Sequence, residues 1–140
     1  MLCDCHVHMI LDGVYYKTAI ESQKLRVRED LVRERLSDYQ KRGITYLRDG
    51  GDAWGVALFA RSIAGEYGIT YAAPAFPIHR KGRYGDFIGR GYETREDYLA
   101  LLDEAEAKKA DFVKIMFSGL MDFHSAGVLS CPPLDKGIYR

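Results

Sequence analysis

Two imidazoles, His6 and His8, stand one residue apart in Asp4-Cys5-His6-Val7-His8, close to the start of the chain. The run before them, Met1-Leu2-Cys3, predicts a short buried strand, with Cys3 as a small core residue. In an extended chain residues i and i+2 project to the same side, so both rings aim at whatever lies beyond the strand end. Neutral imidazole is the commonest protein metal ligand, and two at this spacing can grip one first-row cation. Taken alone, the pair reads equally well as two surface histidines after a strand.

Lys114 is the second anchor. It stands inside the otherwise apolar run Phe112 to Phe117, in a sheet expected to be covered on both faces. Taking an ammonium out of water costs several kcal/mol unless the group neutralises, so a buried lysine tends to lose its proton. A neutral amine can add carbon dioxide and become a carbamate, an anionic oxygen donor able to bridge two cations. By itself Lys114 reads as an edge-strand side chain reaching for solvent. His6, His8 and Lys114 together, near the same ends of parallel strands, favour a metal site.

The elements that must position these residues repeat one theme. After the first strand a long Tyr-rich connection leads to a helix over 27–42, with Leu31, Val32, Leu36 and Tyr39 as its apolar stripe and Gly43 as its stop. A strand over 44–48 ends in Arg48-Asp49-Gly50-Gly51-Asp52, where Asp52 is placed to cap a helix over 53–67 that Gly68 closes. A third strand over 69–73 opens into a basic, glycine-rich loop over 74–91. Thr94-Arg95-Glu96-Asp97 then reads as a capping box before a helix reaching 109. The fourth strand covers 112–117, a loop spans 118–133, and a further helix is expected near Leu134. Alternating strand and helix implies a parallel sheet with right-handed crossovers and strand order 1-2-3-4, each strand buried on both faces. No glycine-rich phosphate fingerprint follows the first strand, which argues against a dinucleotide-binding open sheet.

Bulk properties narrow the class. The 140 residues make one domain at most, with 47% hydrophobic and 29% charged residues, as a soluble globular chain has. Twenty Lys and Arg balance twenty Asp and Glu, so no net field steers nucleic acid or an anionic membrane. Cys3, Cys5 and Cys131 cannot all pair, which favours a reducing compartment. With no leader and no apolar run of membrane-spanning length, the expectation is a cytoplasmic protein acting on a small molecule.

These residues carry a family resemblance. The chain resembles the amidohydrolase superfamily of metal-dependent hydrolases over nearly its whole length. DCHVH matches the family's His-x-His after strand one. GITYLRDGG is similar to the second strand of the prolidase-like and imidazolonepropionase-like branches. DFVKIMFSG resembles the fourth strand that carries the bridging lysine, with Ser118-Gly119 following. The resemblance implies an α/β fold, the first half of a TIM-like (β/α)8 barrel, with strands five to eight outside residues 1–140. A barrel of this kind takes about 250 residues.

By the same resemblance, His6 and His8 would bind the more buried metal, and carbamylated Lys114 would bridge it to a second. One or two divalent ions are implied, zinc before manganese, iron or cobalt. The family's two further histidines and its catalytic aspartate have no counterpart here; His79 and His124 fall in loops. The implied reaction is hydrolysis of an amide-like C–N bond (cyclic amide, dipeptide or N-acyl amino acid) by a metal-activated hydroxide. Phosphotriester or lactone hydrolysis is the alternative chemistry. A truncated, non-catalytic half-barrel keeping a partial metal site is the alternative class, and either needs a second copy or the rest of the barrel to cover its open edges. Arg48 and Asp49 are expected to form a salt-bridged pair supporting the site, while Tyr15, Tyr16, His79 and Arg80 border its mouth.

Overall fold

The computed structural model describes residues 2–122 and 124–134. Strand β1 (Leu2–Val7) leads through helices α1 (Tyr16–Glu21) and α2 (Glu29–Lys41) to β2 (Ile44–Asp49). The two strands are parallel, with Leu2 opposite Ile44 and Val7 opposite Asp49. Residues four apart share a helix face, and α2 accordingly buries Val32 and Leu36 completely while Tyr39 packs at the margin. Truncating Leu36 to alanine would cost about 2–5 kcal/mol. Gly43 ends the helix at φ 73°, a left-handed conformation that glycine adopts without a Cβ clash.

Helix α3 (Val56–Ile63) continues as a 3-10 turn (Ala64–Tyr67) into β3 (Thr70–Ala72), which lies parallel to β2 with Arg48 opposite Ala72. The buried Asp52 carboxylate starts α3 by accepting the amides of Trp54, Val56 and Ala57 at 2.8, 3.1 and 2.7 Å. Those donors would otherwise lack intrahelical partners, and the positive end of the helix dipole favours the charge. The helix expected from residue 53 therefore begins three residues later, after the Asp52 turn. Ala57, Ala60 and Ala64 face the core, as the spacing predicts.

A second group of strands places β4 (Pro77–Arg80) between β5 (Arg90–Tyr92) and β6 (Lys114–Ile115), with both pairings parallel. Helix α4 (Arg95–Ala107) precedes β6 and opens on the expected capping box, Thr94 and Asp97 each accepting the other's backbone amide. Leu101 and Ala105 of α4 pack with Phe76, Ile78 and Tyr92 in a core separate from the one under α2 and α3.

The fold is thus mixed α/β with parallel strands, but in small sheets rather than one four-stranded sheet. The first sheet is β1-β2-β3 and the second β5-β4-β6. Pro74, which has no amide to donate to a ladder, falls in the break along the chain between β3 and β4. The flanking Ala73 turns its amide to the Asp111 carboxylate and its carbonyl to the Asp111 amide, both near 3 Å. Among the described residues strand β1 has a neighbour on one side only, and Val7 alone of its six residues is buried. Cys3 is exposed rather than a core residue, and Cys5 is exposed too. Within the expected loop 118–133 an antiparallel hairpin forms from β7 (Leu120–Met121) and β8 (Leu129–Cys131). The helix expected near Leu134 lies outside the described residues. Among the described residues no helix is long and apolar enough to cross a membrane.

Candidate functional site

His6 lies near the end of β1 and His8 one residue beyond it, so the extended backbone carries both rings to the same region. Their centroids are 5.5 Å apart, with the planes tilted by 55°. His6 is exposed and His8 half-buried. Burial lowers the pKa of both rings, and the Lys114 ammonium pushes in the same direction. Both imidazoles are therefore held toward the neutral form that ligates metals.

The loop after β2 fixes His8. Its Nδ1 lies 3.0 Å from the Gly51 carbonyl oxygen, an acceptor only, which assigns the proton to Nδ1 and leaves Nε2 with its lone pair. Metal-bound histidines characteristically donate their second nitrogen in this way. Gly50 lies against the ring, and a Cβ there would stand 2.3 Å from His8 Cε1. The Gly50 amide in turn donates to the Val7 carbonyl at 2.7 Å.

Asp49 closes the arrangement from below. It is buried and accepts the Met9 amide at 2.8 Å, the Gly51 amide at 2.6 Å and the Tyr71 hydroxyl. Burial raises its pKa to about 6, against the pull of those donors. The expected salt bridge with Arg48 does not form. Neighbours along a strand face opposite sides, so Asp49 points into the core while the exposed Arg48 lays its guanidinium over the Phe112 ring, 4.2 Å from the centroid.

Lys114 lines a cavity of about 340 Å³ together with His6, Arg48, Asp49, Gly50 and Phe112. It is half-buried, not deeply buried as its apolar run suggests, because β6 is a sheet edge and Val113 and Phe117 beside it are half-exposed. A neighbouring cavity of about 360 Å³ takes His8, with Asp4, Asp12 and Arg35. His6 borders both. The structure thus brings His6, Lys114, Arg48 and Asp49 to one cavity, with His8 across the His6 ring.

Tyr16, His79 and Arg80 line neither cavity. Tyr16 opens α1 and meets Phe87 edge-on at 5.6 Å. His79 is not a loop residue: it is buried in β4, with Nδ1 3.1 Å from the Arg80 carbonyl and 3.5 Å from Asp86. Gly85, Gly89 and Gly91 press against its ring so closely that a Cβ at Gly85 would stand 2.6 Å from His79 Cβ. His124 is exposed in the hairpin.

Three contributors carried little signal in the sequence. Tyr71 pairs with Asp49, Gly50 makes room for His8, and Phe112 supports Arg48. An aspartate beside two glycines at a strand end was the one hint, pointing to a loop packed against something. Among the described residues no group of three or more His, Cys, Asp or Glu is placed to hold a metal ion. Comparisons of the chain with protein-family models, characterised proteins and solved structures return no match.

Proposed function

We propose that this chain forms the N-terminal half of a (β/α)8-type metal-dependent hydrolase that cleaves an amide-like C–N bond in a small molecule. One observation carries the reading: His8, with Nδ1 engaged by the Gly51 carbonyl, keeps Nε2 free beside His6, which shares a cavity with Lys114. His6 and His8 would hold a divalent cation, most naturally zinc, and a carbamate on Lys114 would bridge it to a second. When bound, the metal would supply the acidity that makes water nucleophilic near neutral pH and the charge that polarises a substrate carbonyl. The protein's own part is to hold both rings toward the neutral form and fix the His8 tautomer. The open edges of β1 and β6 support pairing with the remaining barrel strands or with a second copy. Three unpaired thiols support a reducing, cytoplasmic setting.

Metal analysis after equilibration with zinc tests the reading. The wild type should retain about one to two ions per chain, and the double variant His6→Ala/His8→Ala should lose most of them. Equal metal content in the two proteins rules out the histidine pair as ligands.

A further inference from the structure

Resting on the hydrolase reading for its place in the reaction, we infer that Arg48 is the receptor for a substrate carboxylate. The site's substrates would then be amides of amino acids bearing a free acid group, such as N-acyl amino acids or dipeptides. The cavity around His6 and Lys114 has an unbalanced set of charges. Arg48 lines it as a permanent cation, and Asp49 is the one carboxylate among its described lining residues. Asp49 is already engaged by the amides of Met9 and Gly51 and by the Tyr71 hydroxyl. Among the described residues no carboxylate lies within ion-pair distance of Arg48, although nine other basic groups have such a partner.

Phe112 fixes the orientation of that cation. The guanidinium stands over its ring, 4.2 Å from the centroid, which restrains a long side chain. A planar fork held this way matches a carboxylate through two parallel hydrogen bonds, which a lysine ammonium cannot do. Phe112 and Lys114 both line this cavity, so Arg48 shares it with the group assigned to the metal bridge. Val113 and Phe117 add apolar surface at the rim. A ligand with an acid at one end, an amide in the middle and an apolar side chain satisfies all three features. Cyclic amides without an acid, lactones and phosphotriesters leave Arg48 unanswered.

The test is calorimetric binding to chelator-treated protein, using N-acetyl-L-phenylalanine and its uncharged carboxamide as probes. Wild type should bind the acid about tenfold tighter than the carboxamide. Arg48→Gln should bring the two affinities together, and Arg48→Lys should restore only part of the difference. Arg48 is exposed on the sheet, and circular dichroism of each variant checks that the fold is kept. Equal binding of acid and carboxamide by wild type, no binding of either, or an undiminished preference in Arg48→Gln would each overturn the assignment. Because metal is absent from this assay, its outcome is separate from that of the zinc stoichiometry, which reports on the hydrolase reading alone.

Discussion

Asp49 accepts the Met9 amide at 2.8 Å, so the end of β2 holds the residue immediately after His8. The same carboxylate accepts the Gly51 amide, and the Gly51 carbonyl faces His8 Nδ1. One buried acid therefore clamps both the backbone beside the imidazole and the group that sets its tautomer. Asp49 touches no candidate ligand directly, and its influence is on position.

That clamp should leave a pH signature in stability. Burial raises the Asp49 pKa to about 6, from 3.8 for an unperturbed carboxyl. Between those values the folded protein keeps a proton that the unfolded chain has released. Stability contributed by this group is thus greatest at low pH, declines as pH rises from about 4 to 6, and is flat above. The shift sets an upper size of about 3 kcal/mol. Other carboxylates, including Asp97 and Asp111, have lowered pKa values and act in the opposite sense at more acid pH. The comparison is therefore between wild type and Asp49→Asn by urea unfolding at several pH values. The difference between them should change steadily across pH 4 to 6, and a constant difference would show that Asp49 does not titrate there.

Gly50→Ala is the sharpest probe of how His8 is seated. The added Cβ would stand 2.3 Å from His8 Cε1 and 2.5 Å from Nε2, so the ring must move. Outer contacts that orient a metal-bound histidine are worth about 10- to 100-fold in affinity, and zinc affinity should fall by that order. Far-ultraviolet circular dichroism should stay unchanged. Undiminished zinc affinity would show that the His8 ring orientation seen here is not the metal-binding one.

The helices were legible in the sequence because their signals are local. Val32 and Leu36, Thr94 with Asp97, Asp52 and the stop at Gly43 each act within a few residues of themselves. The strand arrangement was less so. An apolar run such as 112–117 says that a segment is extended, but not which neighbour covers it. In the structure two residues of it join the ladder, and Lys114 is half-buried at an edge. His79 reads as a loop residue in the sequence for a related reason. Its surroundings are rich in glycine, which suggests a loop, yet Gly85, Gly89 and Gly91 are small because a buried ring lies against them. At the site the ligand candidates were visible by type and spacing. Their supports, Tyr71, Gly50 and Phe112, come from distant parts of the chain and show only in three dimensions.

Asp52 offers a test of fold rather than chemistry. Its carboxylate holds three amides at the start of α3, two of them buried, and Asp52→Ala removes their acceptor. The loss should be about 2 kcal/mol or more, read as a lower urea midpoint at unchanged slope. Asp52→Asn keeps one acceptor and should recover part of it. If alanine is neutral, water or the backbone replaces the cap.

Lys114 separates the carbamate reading from a plain lysine most directly. A side chain that only reaches for solvent can be replaced by arginine with little consequence, because charge and length are kept. A side chain that must be neutral and carbamylated cannot, since arginine stays protonated and forms no carbamate. Zinc content should then fall in both Lys114→Arg and Lys114→Ala, leaving at most the ion held by His6 and His8. The alanine variant leaves space beside His6, so added acetate or propionate should restore part of the bound metal, whereas the arginine variant should not respond. Addition of carbon dioxide needs the free amine, so metal uptake by the wild type should quicken with bicarbonate and slow at mildly acid pH. Labelled bicarbonate should also give a carbamate carbon signal in wild type that is absent from both variants. The deciding measurement is zinc stoichiometry of the three proteins with and without bicarbonate. Full stoichiometry in Lys114→Arg would remove Lys114 from the metal site and leave a one-metal centre on the two histidines.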